Sequence, residues 1–162
     1  MEVAGVGFRV LGRLAVSAGG GPVAPPRSPV LQGLLGALLL ARGEPLPTIR
    51  LAELVWLDRE TSRESVHVGV SRLRKWLARL GSTAMSRGRS GRPSSSEPSS
   101  SLLRGDLGRF LARAAEARAA DGPERRHRLL AAAFAERTGP LLAGLPRIER
   151  TDPLVRGVED AI

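Results

Sequence analysis

The stretch Thr61–Leu80, TSRESVHVGVSRLRKWLARL, constrains the fold of this chain more than any other. Its apolar residues Val66, Val70, Leu73, Leu77 and Leu80 recur at alternating spacings of four and three, which gathers them on one face of a helix. At about 100° per residue, Glu64, Val68, Ser71, Arg72 and Lys75 fall roughly opposite that face, with His67, Arg74 and Arg79 on the flanks. Thr61 and Glu64 have the spacing of a capping box, in which the hydroxyl accepts from an unpaired backbone N–H and the carboxylate reaches back. Gly81 reads as the stop. A helix of this kind needs a core to lie on and leaves a basic strip facing outward. By itself such a strip is an ordinary solvated surface; the residues before it give it more meaning.

Phe8–Val16, FRVLGRLAV, alternates loosely in apolar character and predicts one strand, bulged at Gly12. Gly19–Gly21 predicts a turn, and Val23–Ala24 the start of a short return strand. These glycines do not form a phosphate loop, because no Gly-Lys-Ser/Thr follows and the spacing of a dinucleotide turn is missing. Ser28 is placed to cap a first helix running to Ala41, with Pro29 in its first turn, Leu31, Leu34, Leu35 and Leu38 as its buried stripe, and Gly43 at its end. Pro45 and Pro47 exclude helix across Glu44–Pro47. Thr48 then caps a short helix, Ile49–Trp56, with Leu51, Leu54 and Val55 inward, and a polar turn at Asp58–Glu60 leads into the basic helix. Hairpin, helix, short helix, turn and basic helix is the order of a winged helix-turn-helix with an N-terminal sheet, in which the third helix enters the major groove.

The charge favours a polyanionic partner. The chain has 162 residues, a formal net charge of +9 and a pI of about 11.6. Residues 1–81 carry 11 basic and 6 acidic side chains, 82–104 carry 4 and 1, and 105–162 carry 10 and 9. Nearly all of the excess therefore precedes residue 105. Cysteine is absent, which excludes disulfides and thiolate metal sites and fits a reducing compartment. MEVAGVGFRV lacks the charged start and long apolar run of a secretion signal, and Leu34–Ala41 is too short to span a bilayer. The expectation is a soluble cytoplasmic protein with no membrane partner. His67 and His127 have no second imidazole or thiol near them in sequence, so no metal or cofactor is expected. No nucleophile–base arrangement or carboxylate pair supports catalysis, so the chain does not read as an enzyme.

FRVLGRLAV, the leucine-rich first helix, RLAELVW and VSRLRKWL follow one another at the spacing of the OmpR/PhoB-type DNA-binding domain. More closely, Gly5–Gly81 resembles the bacterial antibiotic regulatory proteins of the AfsR type (SARP), with Val70–Lys75, VSRLRK, the most family-specific piece. The resemblance implies an activator of secondary-metabolite genes. It would bind direct-repeat promoter sites in double-stranded DNA as side-by-side protomers and recruit RNA polymerase.

In that family a β-hairpin wing follows the recognition helix. Here Ser82–Ser101, STAMSRGRSGRPSSSEPSSS, has no tyrosine, and Pro93 and Pro98 oppose paired strands. Only Arg87-Gly88-Arg89-Ser90-Gly91 keeps the look of a wing tip, Leu102-Leu103 reads as a remnant of the return strand, and Arg92–Ser101 has the composition of a flexible linker. Asp106 then caps an alanine-rich helix, Leu107–Ala120, with Leu107, Phe110, Leu111, Ala114 and Ala117 as its apolar side. Pro123 opens a second helix to about Arg137, Pro140–Arg150 forms a loop, and Thr151-Asp152-Pro153 starts a third helix. GDLGRFLARAAEARAA and TGPLLAGLP resemble the opening of the bacterial transcriptional activation domain, a tetratricopeptide-like array of which only the start is expected here. The expected architecture is mainly α with a small N-terminal β-sheet. Residues 1–81 form a winged helix-turn-helix, 82–104 a Ser/Pro/Arg-rich linker in place of the wing, and 105–162 a truncated helical activation segment.

Major-groove entry requires long cations for phosphates and short polar or apolar groups for base edges. Arg72 and Lys75 are the outward cations, Ser71 lies between them, and Val68 is suited to a thymine methyl. Arg63 and Arg74 point sideways toward the backbone, and His67 is placed to donate to a phosphate or a base. Arg87 and Arg89 would reach the minor groove or backbone from the wing remnant. A competing reading is a degenerate or truncated regulator that acts as a protein-interaction module without specific DNA binding, favoured by the illegible wing.

Overall fold

A computed structural model of the chain describes residues 5–56, 61–87, 105–145 and 147–162, with side chains as far as Ser82 in the second segment. The Asp58–Glu60 turn lies outside these residues. Strands β1 (Val6–Arg9), β2 (Ala15–Ala18) and β3 (Gly21–Val23) form an antiparallel sheet in the order β1-β2-β3. Phe8 sits opposite Val16, and Val16 opposite Val23. The single strand expected over Phe8–Val16 is thus two strands, parted at Gly12, whose φ of +142° disfavours any residue with a Cβ. Between them the backbone turns to partners far along the chain. The Leu11 carbonyl accepts from the Thr138 N–H at 2.8 Å and its hydroxyl at 2.9 Å, and the Leu142 and Ala143 N–H groups donate to Val10 and Gly12 at 2.8 Å each.

Helix α1 (Pro29–Ala41) starts after Ser28, whose side chain makes no cap bond, and closes through Arg42 in the left-handed region followed by Gly43 at φ +90°. The expected stripe is too narrow. Gly33, Leu34, Leu35, Gly36, Ala37, Leu39, Leu40 and Ala41 are buried, whereas Leu31 and Leu38 are half-buried. Contact on several sides is the cause, because α1 packs against α2 (Thr48–Val55), α3 (Arg63–Arg87) and α6 (Pro153–Ala161). A Cβ on Gly33 would collide with the Arg147 carbonyl oxygen, and one on Gly36 would press on Leu142 and Leu145. Leu51, Leu54 and Val55 of α2 are buried as their spacing predicts, but Thr48 is the first helical residue, after Pro47, and not the cap.

Helices α4 (Asp106–Ala119) and α5 (Pro123–Ala135) pack antiparallel, with Phe110 and Phe134 edge to face at 5.7 Å. Leu107, Phe110, Ala114 and Ala117 are buried, as expected for this face, while Leu111 is half-buried. Glu136, just beyond α5, accepts from the guanidinium groups of Arg109 and Arg113 on α4. The Arg109 hydrogen bonds, opposed by burial and assisted by Arg113, hold its carboxyl below the ordinary range.

Asp106 is the first residue of α4 and not its cap, which is Gly105. It is fully buried, and its carboxylate accepts from the N–H groups of Val10, Leu11 and Leu107 at 2.8 Å each. Asp152 does cap α6, accepting from the Leu154 N–H at 2.8 Å, and also receives Arg50 of α2 at 2.8 and 2.9 Å. The Glu149 N–H donates to the Leu54 carbonyl at 2.8 Å. One hydrophobic cluster runs from Phe8 and Val16 through Leu34, Leu54 and Leu73 to Phe110, Leu142 and Val155. The fold is mainly helical with an N-terminal three-stranded sheet, and residues 105–162 share a core with what precedes them.

Candidate nucleic-acid interface

Helix α3 begins one residue later than the capping-box spacing predicts. The Ser62 hydroxyl accepts from the Ser65 N–H at 3.2 Å, so Ser62 provides the cap in the described bonds, and Glu64 stands in the first turn where a carboxylate meets the positive helix end. Gly81 does not stop the helix. It lacks the left-handed conformation that closes a helix, and α3 continues to Arg87. Around Gly81, Leu80 is buried and the Ser82 hydroxyl donates to the Ala78 carbonyl at 3.1 Å.

The inward face is the one its periodicity predicts. Val66, Leu73 and Leu80 are buried, and Val70 and Leu77 are half-buried against the same core. Gly69 widens that face in a way the apolar periodicity misses. A Cβ there would meet a Leu34 methyl at 2.9 Å and the Trp56 ring at 3.2 Å, so glycine allows α3 to lie close against α1. The available signal was a glycine in mid-helix, where it otherwise only weakens the helix by about 1 kcal/mol.

Arg63, His67, Val68, Ser71, Arg72, Arg74 and Lys75 are all exposed on α3. The helix therefore brings seven candidate contacts to one continuous outward surface. Arg87 is the last residue of α3, with its side chain outside the described residues, and Arg89 lies outside them altogether. The same holds for Gly88–Gly91, the Arg92–Ser101 linker and Leu102-Leu103.

Two properties of this surface bear on what it can bind. Among the described residues, Arg63, Arg72, Arg74 and Lys75 have no carboxylate partner, whereas Arg50, Arg109, Arg113 and Arg150 are paired. In addition, Val68 is 44% exposed in the middle of the cationic strip. Val68 and Arg72 also border a cleft of about 460 Å³ whose other walls include Ser28, Leu31 and Trp56. Uncompensated cations around an aliphatic side chain suit a surface made of phosphates and base methyls. Among the described residues no three His, Cys, Asp or Glu side chains come together as a metal site, and no helix is long and apolar enough to cross a membrane.

The geometry defines an N-terminal three-stranded sheet followed by helices, with the basic helix α3 packed on α1 and α2. Among solved structures, the chain is similar to EmbR of Mycobacterium tuberculosis, solved in complex with a low-affinity phosphopeptide, at 30% identity and a TM-score of 0.66. That likeness covers 98% of this chain and 43% of the EmbR chain, so the sequence spans less than half of EmbR and its fold is EmbR-like. No protein-family model and no curated protein matches the chain.

Proposed function

We propose that the chain is a sequence-specific DNA-binding transcription regulator that inserts α3 into the major groove. The observation that carries this reading is the row Arg63, Arg72, Arg74 and Lys75 on α3, without carboxylate partners among the described residues, on a helix whose opposite face is locked into the core. The EmbR-like fold and the SARP-like VSRLRK stretch support it. Residues 1–81 serve as the DNA-binding unit and 105–162 as the helical activation segment. Arg72 and Lys75 contact phosphates, with Arg63 and Arg74 at the groove walls. Val68 meets a thymine methyl, and Ser71 and His67 approach base edges. Arg87, at the end of α3, and Arg89 add charge for the minor groove or the backbone. By the same family resemblance, the protein activates secondary-metabolite genes from direct repeats, as side-by-side protomers acting with RNA polymerase.

The double variant Arg72→Ala/Lys75→Ala tests the assignment. Loss of two phosphate contacts flattens the slope of log K against log salt by roughly 1.8. An unchanged affinity and slope would remove α3 from the interface.

One observation favours a second reading, that of a protein-interaction module. On α5, Leu130 and Phe134 are exposed beside a cleft of about 390 Å³ that Phe110, Arg118, Arg126 and Ile162 also line. A protein that used only this surface would discriminate poorly between DNA sequences.

A further inference from the structure

We infer that the groove between α4, α5 and the end of α6 is a docking site for an acidic amphipathic helix of a partner protein. This gives the exposed α5 surface an occupant. None of the described residues that line the groove belongs to α3, so the inference stands apart from the DNA-binding reading.

The groove follows the α4–α5 hairpin and changes character along its length. The two helices are tied in antiparallel register by Arg109 to Glu136, Arg113 to the Ala132 carbonyl and Arg126 to the Ala120 carbonyl. Phe110 and Phe134 therefore stand together at one end, edge to face. Arg118 and Arg126 stand at the other, with Ala114 and Leu130 between. On α5, Arg126, Leu130 and Phe134 follow at steps of four and share one stripe. At about 1.5 Å per residue that stripe is roughly 12 Å long, about two turns of helix. The cleft beside it holds about 390 Å³, and Leu130 and Phe134 are 37% and 50% exposed.

Two features select the occupant. An open apolar stripe two turns long fits the apolar face of an amphipathic helix, whose anchors recur at the same spacing. At the other end, neither Arg118 nor Arg126 has a carboxylate partner among the described residues, and Arg126 spends one N–H on the Ala120 carbonyl at 3.3 Å. Glu136 and Glu159 are held by other arginines, and Asp121, Glu124 and Asp160 do not line the cleft. The complement is a helix with apolar residues against Phe134 and Leu130 and a carboxylate seven or eight residues from the first anchor, within reach of the guanidinium forks. A nucleic acid would satisfy the arginines and leave the phenyl end uncovered. A second copy docked by the same face would bring the arginines no acidic side chain.

The test selects peptides from a random helical display library against the full chain and measures their binding by fluorescence anisotropy. The recovered peptides are expected to carry apolar residues at i and i+4 with Glu or Asp at i+7 or i+8. Phe134→Ala, and Leu130→Gln as a variant that keeps the Phe110–Phe134 contact, are expected to bind them at least about tenfold more weakly, with thermal melts confirming that both fold. Arg118→Glu/Arg126→Glu is expected to weaken them about tenfold and to prefer the same peptides with Lys in place of the acid. A selection that yields no binder, peptides without an acidic position, or peptides indifferent to these variants overturn the inference. Self-association of wild type that Leu130→Gln abolishes in sedimentation overturns it in favour of a second copy. The salt slope of DNA binding is expected to be the same in wild type and Leu130→Gln, and a change would reassign the groove to nucleic acid. A wild type that selects these peptides but binds no DNA supports this site and removes the DNA reading alone.

Discussion

A carboxylate taken wholly out of water must be compensated by donors, and Asp106 is compensated by backbone. Its partners at Val10 and Leu11 lie about a hundred residues back along the chain. Together with Thr138, Leu142 and Ala143 they pair the Val10–Gly12 backbone on both its donor and acceptor sides. Replacing the carboxylate leaves N–H groups buried without an acceptor, each worth about 1–3 kcal/mol. Asp106→Asn keeps one acceptor oxygen but turns an NH2 toward donors. It is expected to lower the unfolding free energy by about 2–4 kcal/mol in urea titrations. A loss below about 0.5 kcal/mol, the ordinary scale of a surface change, would contradict the latch.

At the scale of elements, the length of α3 is the most consequential departure from what its sequence predicts. Among the described residues, apart from its chain neighbours and the helix's own backbone, nothing lies within 4 Å of a Cβ built on Gly81, and its φ is not left-handed. Gly81→Ala is therefore expected to raise stability by about 0.5–1 kcal/mol, whereas at a true left-handed stop the same change would be destabilising. Thermal or urea melts of the single variant decide between the two. The α4–α5 pair carries its own prediction. Glu136 is held below the ordinary carboxylate range chiefly by Arg109, so its contribution is fully present above the ordinary value and is lost as the pH falls through the depressed one. These arginines are partly exposed, so Glu136→Gln is expected to cost about 0.5–1 kcal/mol near neutral pH, with the difference from wild type closing as the pH falls below about 4. A gap that stays constant into acid would contradict the ion pairs. Periodicity made the α3 face and the inward side of α2 legible, because each meets the core along one stripe. It failed for α1, which is surrounded, and for Phe8–Val16, whose central residues bond to the far end of the chain. Ser62 replaces Thr61 as the cap because two adjacent hydroxyl residues precede the helix and sequence does not rank them.

For the whole molecule, the same contacts join its early and late elements. Arg50 on α2 reaches the cap of α6, the Glu149 N–H reaches Leu54, and a single apolar cluster joins the sheet, α1–α3 and the later helices. Helix α3 and the later helices are thereby held in one orientation, so on the proposed DNA-binding reading a partner bound on α4–α6 would sit at a fixed angle to the DNA. None of this long-range stitching is legible in local sequence. The small residues Gly12, Gly33, Gly36, Gly69 and Gly105 hint that other backbone or side chains come close. The exposure of the seven α3 candidates is legible, since their spacing sets them away from the core-facing stripe. What they do is tested most directly by competition. The full chain is bound to a labelled direct-repeat promoter duplex at a salt concentration held near physiological, and unlabelled specific or random duplex is titrated in. Specific recognition requires that random duplex compete at least about a thousandfold more weakly than the specific one. Equal competition by the two would contradict sequence-specific binding and leave the exposed α5 surface as the functional one.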